Sequence, residues 1–134
     1  MISIKTKYAL AVVFELAKNK NTLMTIKQLA SNCNVPKKYL EQILNALRKA
    51  DIVKSNRGSQ GGYQLAKSAE LITLLDIAKA LEQSLSLAQG YTGGGVLSQC
   101  WKDIDLIIKS SFNVTLASLI KKDNESKQCL SFAI

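Results

Sequence analysis

The spacing of apolar residues predicts an amphipathic first helix near the N-terminus. Its apolar positions recur at three- and four-residue steps and are Ala9, Val12, Val13, Leu16 and Ala17. The stretch from Tyr8 to Ala17 has the length of a signal-peptide core, but Glu15 interrupts it. We therefore expect a helix of a folded domain, and a cytoplasmic protein.

Two shorter helices with a turn between them are predicted next. Thr25 is a suitable N-cap for the first of them, and turn residues occupy positions 32–36. The apolar positions of the first helix are Ile26, Leu29, Ala30 and Cys33. Those of the second helix are Leu40, Ile43, Leu44 and Leu47. Two short helices joined in this way form a helix-turn-helix, whose second helix enters the major groove of DNA.

The periodicity changes from helical to extended after Asp51. Residues 52–54 and 62–65 can form two strands, and residues 55–61 contain the turn between them. Arg57 lies at the tip beside a glycine, and the glycines of the turn allow the backbone to approach a phosphate closely. A hairpin after a helix-turn-helix predicts a winged helix, whose arginine can enter a narrow minor groove. The alternative is an ordinary surface hairpin with one exposed arginine.

A second apolar stripe lies in the C-terminal half, again at roughly three- and four-residue steps. It consists of Leu97, Trp101, Ile104, Ile108 and Phe112. Because so large a stripe has few places to be buried, we expect it to form a dimer interface. The alternative is that the stripe packs on the first helix of the same chain.

Three further segments complete the predicted organisation. Residues 84–96 contain four of the seven glycines and predict a mobile loop. Thr115 is a suitable cap for a short helix with Leu116, Leu119 and Ile120 on one side. The tail alternates at Leu130, Phe132 and Ile134, which predicts a short extended piece.

We expect a mostly α fold with a small β wing: a winged helix-turn-helix domain (1–83), a flexible Gly-rich loop (84–96), and a dimerisation helix with the C-terminal segment (97–134).

Charge is distributed unevenly along the chain. Residues 1–67 contain 12 Lys and Arg against 3 Asp and Glu, a net charge of +9, whereas residues 68–134 contain 6 against 7, a net charge of −1. The N-terminal half therefore favours an acidic partner, for which the DNA backbone is the obvious candidate. RNA is less favoured because no aromatic cluster lies on a basic strand. No apolar run approaches 18 residues, so we expect no membrane span.

The side chains available for chemistry are few. The sequence contains no histidine, which removes the commonest general base and the imidazole metal ligands. It also lacks the glycine patterns GxxxxGK[ST] and GxGxxG of nucleotide-binding loops. We therefore expect no enzymatic activity. Three cysteines without paired spacing fit a reducing compartment and predict no disulfide framework.

Several segments of the chain resemble the Rrf2 family of bacterial winged-helix regulators. They are TKYAL near the start, YLEQIL followed by LRKADIV, the wing RGSQGGYQL, ITLLDIAKALE, and TLASL near the end. The resemblance covers nearly the whole chain, and the YLEQ helix and the wing together are specific. It implies a homodimeric regulator that binds double-stranded DNA at a pseudo-palindromic operator.

The resemblance also implies roles for individual residues. Lys38, Tyr39, Glu41 and Gln42 resemble the groove-facing positions of the recognition helix, and Arg57 resembles the minor-groove residue of the wing. The full set that we expect at the DNA surface is Lys5, Thr25, Lys27, Pro36, Lys37, Lys38, Tyr39, Glu41, Gln42, Arg57, Ser59, Gln60, Gly61 and Gly62.

Two alternatives stay open within this surface. Glu41 can accept a hydrogen bond from cytosine, or it can pair with Lys37 one helical turn earlier. Tyr39 can be a half-buried packing residue instead of a DNA contact. Tyr63, in the return strand of the wing with Gly61 and Gly62, is better explained as a packing residue.

Cluster-binding members of this family hold an iron-sulfur cluster with three closely spaced cysteines. Here only Cys100 lies near the corresponding region, since Cys33 continues an apolar stripe and Cys129 is in the tail. An iron-sulfur cluster is therefore not supported, and we expect no cofactor and no metal. Cys100 remains a candidate sensor, as a redox-sensitive thiol or as part of a site shared across a dimer; the alternative is a packed or idle cysteine.

Three functional hypotheses follow. The first is a dimeric DNA-binding transcriptional regulator, which we expect to be a repressor because a winged helix of this size lacks a separate activation domain. The second is a thiol- or metal-linked sensor whose DNA binding is switched at Cys100. The third is a winged-helix adaptor that binds protein instead of DNA. An unknown protein or small molecule is a candidate effector for the regulator.

Overall fold

The structure is a computed structural model that describes residues 2–133, with side chains described as far as residue 129. Within these residues there are six α-helices, a two-stranded antiparallel sheet and one 3₁₀ helix. In chain order they are α1 (Ile4–Lys18), α2 (Ile26–Cys33), α3 (Lys37–Lys49), β1 (Val53–Asn56), β2 (Gly62–Leu65), the 3₁₀ helix (Ala69–Leu71), α4 (Leu74–Leu81), α5 (Gly95–Ser111) and α6 (Leu116–Ala133). The mostly α fold with a small β wing is confirmed.

Helix α2 begins and ends through local hydrogen bonds that its sequence allows. The Thr25 hydroxyl accepts from the Gln28 amide at 3.1 Å, and the Gln28 side chain accepts from the Thr25 amide at 2.9 Å. The helix ends at Cys33, and the C-cap residue Asn34, whose φ of 53° is left-handed, turns the chain toward α3. The predicted N-cap is therefore confirmed, and the turn of the helix-turn-helix lies at residues 34–36, shorter than the predicted 32–36 because α2 continues to Cys33.

The core of the N-terminal region is formed by the predicted apolar stripes. All nine residues of the stripes on α1 and α3 are buried, and they are Ala9, Val12, Val13, Leu16, Ala17, Leu40, Ile43, Leu44 and Leu47. Helix α1 packs against α2, α3 and α4, so it lies at the centre of the domain. Burial of these side chains orients α3 with its polar side toward solvent.

The wing is a short hairpin joined to the helix-turn-helix by backbone hydrogen bonds. Its strands pair in a register that runs from Val53 with Leu65 to Asn56 with Gly62. The Met24 amide donates to the Tyr63 carbonyl at 3.0 Å, and the Tyr63 amide donates to the Met24 carbonyl at 2.8 Å. These bonds tie β2 to the segment just before α2, which gives the wing a defined position beside the helices.

The end of α4 is held against the start of α1 by one carboxylate. Glu82 accepts a hydrogen bond from the Thr6 hydroxyl at 2.6 Å and another from the Ser3 amide at 2.7 Å. The bond from Thr6 is the main reason that the pKa of Glu82 is lowered from its ordinary value. This contact anchors the point at which the chain leaves the winged domain.

The loop between α4 and α5 lies at residues 82–94, two residues earlier than expected, and it is better anchored than its glycines suggest. Helix α5 begins at Gly95, so the last two residues of the expected loop are helical. The buried carboxylate of Asp105 on α5 accepts from the Leu87 amide at 2.7 Å and from the Ser86 hydroxyl at 2.8 Å. These two bonds fix the first half of the loop to the side of α5.

The C-terminal helix differs most from expectation. Thr115 does cap α6, accepting from the Ser118 amide at 3.1 Å, but the helix has 18 residues and is not short. The prediction of an extended tail is wrong, because α6 continues to Ala133. Ile134, the last residue of the predicted tail, lies outside the described residues. A few alternating apolar residues do not separate a strand from a helix that has already begun.

The alternative in which the α5 stripe packs on α1 is also wrong. Helix α6 returns to pack against α1 and the 3₁₀ helix, whereas α5 makes at most minor contact with α1, and Leu116 at the start of α6 is 1% exposed. On α5, Leu97 remains 59% exposed and Trp101 remains 40% exposed. Helix α5 therefore presents apolar residues that the described part of the chain does not cover.

Candidate DNA-binding surface

An open groove of about 550 Å³ lies between the start of α2, the first turns of α3 and the wing. Seven of the predicted site residues line it, and they are Thr25, Lys27, Lys37, Glu41, Arg57, Gly61 and Gly62. Three cations thus face one carboxylate, and all four of these charged side chains are exposed. The groove is electropositive, and it is formed by three elements that are separate in the sequence.

A second cluster lies on the neighbouring side of α3. The Lys5 ammonium on α1 donates to the Gln42 side-chain oxygen at 2.7 Å. Tyr39 lies between two cations, since Lys38 Nζ is 5.0 Å and Lys5 Nζ is 5.9 Å from its ring centroid. Its ring also lies 5.9 Å from that of Tyr8 and packs against the core. Tyr39 therefore packs against the core and lies beside two surface lysines.

The backbone of the wing requires glycine at two positions for steric reasons. A Cβ atom at Gly61 would collide with the carbonyl oxygen of Asn56 across the turn. A Cβ atom at Gly62 would lie 2.8 Å from the Met24 carbonyl oxygen, which accepts the bond that anchors β2. These two glycines therefore let the hairpin close tightly against the helix-turn-helix, with Arg57 exposed near its tip.

The structure does not gather every predicted residue into one cluster. Lys5, Lys38, Tyr39 and Gln42 belong to the α1 side of α3, away from the groove. Pro36 is exposed as the N-cap residue of α3, and Ser59 and Gln60 are exposed at the tip of the wing. The expected surface is thus a broad face made of the polar side of α3 with a groove along one edge.

Sequence reasoning missed residues that continue this face. Asn56 lines the groove from β1, and Asn45 and Arg48 extend the polar side of α3 beyond its first turns. The Arg48 guanidinium donates to the Asn45 side-chain oxygen at 2.9 Å. Asn45 could have been found from its spacing, because it lies four residues after Glu41 and so one turn further along the same side.

The structure bears on the alternative for Glu41 and on the expected packing of Tyr63. In the described part of the chain Lys37 and Glu41 form no ion pair, although both line the groove. The Glu41 carboxylate therefore remains available as an acceptor. Tyr63 is half-buried and packs against the core, as expected.

The cysteines lie on three different helices. Cys33 on α2 is half-buried and donates to the Ala11 carbonyl at 3.7 Å, and burial raises the pKa of its thiol to about 11. Cys100 on α5 and Cys129 on α6 are exposed. Among the described residues no group of three or more His, Cys, Asp or Glu side chains could hold a metal ion.

Helix α5 presents an apolar face wider than the predicted stripe. The predicted positions Ile104, Ile108 and Phe112 are half-buried. Val96, Cys100 and Ile107 flank the predicted stripe along one edge, and all three are exposed. Leu106 is also 66% exposed, but it lies on the opposite side. This face begins next to the anchored loop and runs the length of the helix.

The helix-turn-helix, the wing at its edge and the electropositive face along α3 together define a winged helix-turn-helix protein of the DNA-binding class. The family model Rrf2, described as an iron-dependent transcriptional regulator, matches residues 2–122. The chain belongs to the Rrf2 family. None of the helices in residues 2–133 combines the length and the apolar character needed to cross a membrane.

Named relatives and solved structures agree with this assignment. The chain is 42% identical over 86 residues to CymR of Bacillus subtilis, covering 63% of this chain and 62% of CymR. It is 32% identical over 126 residues to the HTH-type regulator slr0846 of Synechocystis, covering 88% and 86%. The structure of B. subtilis CymR matches with a TM-score of 0.82 at 33% identity, covering 91% of this chain and 97% of that one.

The structure of T. potens IscR matches with a TM-score of 0.81, also at 33% identity, covering 94% of this chain and 90% of that chain. The family and these relatives are transcriptional regulators and not enzymes. The family description includes iron, but the cysteines of this chain do not fit an iron site within one protomer, because they lie on three helices without a metal-binding group.

Proposed function

We propose that this Rrf2-family regulator is a homodimer that binds a pseudo-palindromic operator and represses transcription. The observation that supports the proposal most strongly is the electropositive groove shared by α2, α3 and the wing. A protein that binds duplex DNA needs cations for the phosphates and a helix narrow enough to enter the major groove. The polar side of α3 and the cations beside it meet both needs.

Each part of the face has a distinct task in this proposal. Gln42 and Asn45, on the exposed side of α3, contact base edges, while Lys37 and Lys38 at its start contact phosphates. Arg57 enters the minor groove beside the site contacted by α3. Glu41, without an ion-pair partner in the described structure, accepts from a cytosine amino group.

Dimerisation is proposed through the apolar face of α5. Its exposed members on one side of the helix include Val96, Leu97 and Ile107, which would cost free energy if left in water. A two-fold axis along this face would bring the same helix of a second copy against it and place two α3 helices on one side of the DNA. Binding of the dimer to a promoter would then block transcription by covering the DNA that other proteins need to reach.

A salt series on duplex DNA tests the proposal. Sites would first be selected from random duplexes with the purified protein, and the affinity would then be measured by fluorescence anisotropy at increasing salt. We expect a steep fall in affinity, and Lys37→Gln or Lys38→Gln should each reduce the slope by about one unit. Lys121→Gln on α6, an exposed lysine outside the face, should leave the slope unchanged. A salt-independent affinity, or equal slopes for all variants, would favour a protein-binding adaptor.

The wing is tested separately with Arg57→Ala. We expect a loss of about 10-fold in affinity for sites flanked by A·T-rich, narrow minor grooves, and a smaller loss for G·C-rich flanks. Lys54→Ala, an exposed cation on β1, provides the matched control for the loss of one charge. If Arg57→Ala binds the A·T-rich sites as tightly as the unmodified protein does, the proposed role of the wing is wrong.

A second candidate function is a thiol switch at Cys100. The thiol is exposed on the same face of α5 that we propose as the dimer interface, so its oxidation would alter that interface. Native protein would be titrated with an alkylating reagent, and operator binding by Cys100→Ser would be measured with and without oxidant. If Cys100 resists alkylation and the Ser variant responds to oxidant like the unmodified protein, the switch is excluded. We propose no iron-sulfur cluster, which metal analysis of anaerobically purified protein would check.

A further inference from the structure

A cleft of about 680 Å³ lies away from the DNA-binding face and shares no lining residue with the groove. Its walls are the C-terminal end of α1, the end of β2 with the 3₁₀ helix, and α6. These segments are far apart in the sequence, so the cleft exists only in the folded chain. Its volume lies within the range of roughly 300 to 1,000 Å³ that is common for small-molecule sites.

The lining of the cleft combines an apolar floor with a cationic rim. Leu65 from β2 and Ile120 from α6 provide apolar surface, and both are half-buried against the core. Lys20 and Lys67 lie on the rim, and in the described part of the chain neither forms an ion pair. Glu70 is the acidic member of the lining, and among the described residues it forms no ion pair with either lysine.

Two further lysines of the rim are already partly neutralised. Lys18 Nζ lies 3.2 Å from the Glu15 carboxylate, and Lys127 Nζ lies 3.1 Å from the Asp123 carboxylate. The attraction for an anion therefore rests mainly on Lys20 and Lys67. Because the floor is apolar, a bare inorganic anion would leave most of the cleft unused, whereas a hydrocarbon body with one acidic group would use both parts.

We propose that this cleft binds a small organic anion with an apolar body, such as an aromatic carboxylate. The carboxylate lies between Lys20 and Lys67, and the apolar body lies against Leu65 and Ile120. The ligand contacts β2 at Leu65, the opposite end of the strand from Gly62 in the DNA-binding groove. This inference stands independently of the proposed DNA-binding function, because the ligand site can be measured without DNA.

Naphthoate and its neutral amide, naphthamide, are suitable probes because they share one ring system and differ in charge. The full chain, labelled with ¹⁵N, would be titrated with each probe at low salt while backbone amide resonances are recorded by NMR. We expect naphthoate to shift amides within 17–21, 65–70 and 117–127, and to bind about 3- to 10-fold more tightly than naphthamide. Absence of binding, shifts confined to α5 or to the groove, or equal affinities would overturn the proposal.

Paired substitutions provide the second arm of the experiment. Lys20→Gln combined with Lys67→Gln should reduce naphthoate affinity to that of naphthamide and leave naphthamide binding unchanged. Lys49→Gln combined with Lys102→Gln removes the same charge from exposed positions outside the cleft, and we expect no change in either affinity. Equal losses in both double variants would show that net charge alone attracts the probe, which would also overturn the site.

Discussion

Helices α3 and α5 are both amphipathic, but only α3 buries its apolar stripe within the chain. Leu40, Leu44 and Leu47 on α3 are at most 1% exposed, whereas Leu97 and Trp101 on α5 are 59% and 40% exposed. Helix α3 packs against α1, α4 and β1. Helix α5 is bonded to the preceding loop through Asp105, and the apolar side chains of Ile104 and Ile108 are only half-buried.

The difference shows that an amphipathic pattern can have two roles, either to stabilise the fold of one protomer or to leave an apolar face for a second protomer. The stripe of α3 stabilises the domain and, by being buried, turns the polar side of the helix toward solvent, where we propose that it binds DNA. The face of α5 contributes little to the fold of one protomer and is available to a second. The two regions should therefore respond differently to the same substitution, since stability should depend on α3 and assembly on α5.

The largest effect on stability is expected from Leu44→Ala on α3. The fully buried side chain leaves a cavity when it is truncated, so the free energy of unfolding should fall by about 2 to 5 kcal/mol. Denaturant unfolding followed by circular dichroism measures this loss. Leu106→Ala on the outer side of α5 removes the same atoms from a residue that is 66% exposed, and it should change the free energy by less than about 0.5 kcal/mol. Equal losses would contradict the distinction between the two helices.

The burial of the apolar stripe on α3 could be predicted from the sequence. Burial of Leu40 and Leu44 follows from periodicity alone, because each short helix has one apolar side and a core within reach. The length of α6 could not be predicted, since Leu130 and Phe132 alternate as they would in a strand. The return of α6 onto α1 depends on contacts between distant parts of the chain, which local spacing does not contain.

The next largest effect is expected on dimerisation, and two leucines on opposite sides of α5 allow it to be tested. Leu97 and Leu106 are nine residues apart, about two and a half helical turns, so they point in opposite directions. Leu97→Gln should raise the dimer dissociation constant on the order of 100-fold, because a two-fold interface contains the substitution twice. Sedimentation equilibrium measures the constant.

Leu106→Gln is the matched control, with the same side-chain change on a residue of similar exposure. We expect its dissociation constant to equal that of the unmodified protein. If both variants weaken the dimer equally, the interface is not the apolar face described here. If neither does, α5 is not the dimerisation helix.

The candidate DNA-binding face was only partly predictable, because it too depends on contacts between distant parts of the chain. Lys37, Glu41 and Arg57 could be assigned to a helix and a hairpin, but their meeting in one groove depends on the hydrogen bonds between Met24 and Tyr63 that position the wing. The contact of Lys5 with α3 likewise joins residues far apart in the chain. Spacing along one helix identifies a polar side but does not show what lies beside it.

A smaller, local effect is expected where α5 is anchored to its loop. The Leu87 amide is the main reason that the pKa of Asp105 is below its ordinary value, so the contact favours the ionised carboxylate. Its contribution is therefore present above the unfolded pKa of about 4 and is lost as the pH falls through the lower pKa of the folded state. The Leu87 amide resonance should hold its position at neutral pH and shift only below about pH 4.

Asp105→Asn tests the same contact at neutral pH. We expect faster hydrogen exchange at Leu87 and Ala88 and an unchanged exchange rate at the buried amides of α3, because the two regions are stabilised separately. Ser86→Ala removes the weaker of the two donors to Asp105 and should have a smaller effect at Leu87. Because the Ser86 hydroxyl also accepts from the Ala88 amide at 3.1 Å, exchange at Ala88 should become faster in this variant too. Faster exchange throughout α3 in the Asn variant would show that the loop and the helix-turn-helix unfold together.

The smallest effect is expected at the joint between α3 and the wing, where Asp51 has a φ of 58°. This left-handed conformation is strained for a residue with a side chain, and in the described structure the Asp51 carboxylate makes no hydrogen bond that offsets the strain. Asp51→Gly should raise the free energy of unfolding by about 0.5 to 1 kcal/mol, as glycine does at helix C-terminal positions. Asp51→Ala keeps the Cβ atom and should be no more stable than the unmodified protein. Denaturant unfolding separates the two variants, and a destabilised Gly variant would mean that the Asp51 side chain supports the wing in a way that backbone strain does not explain.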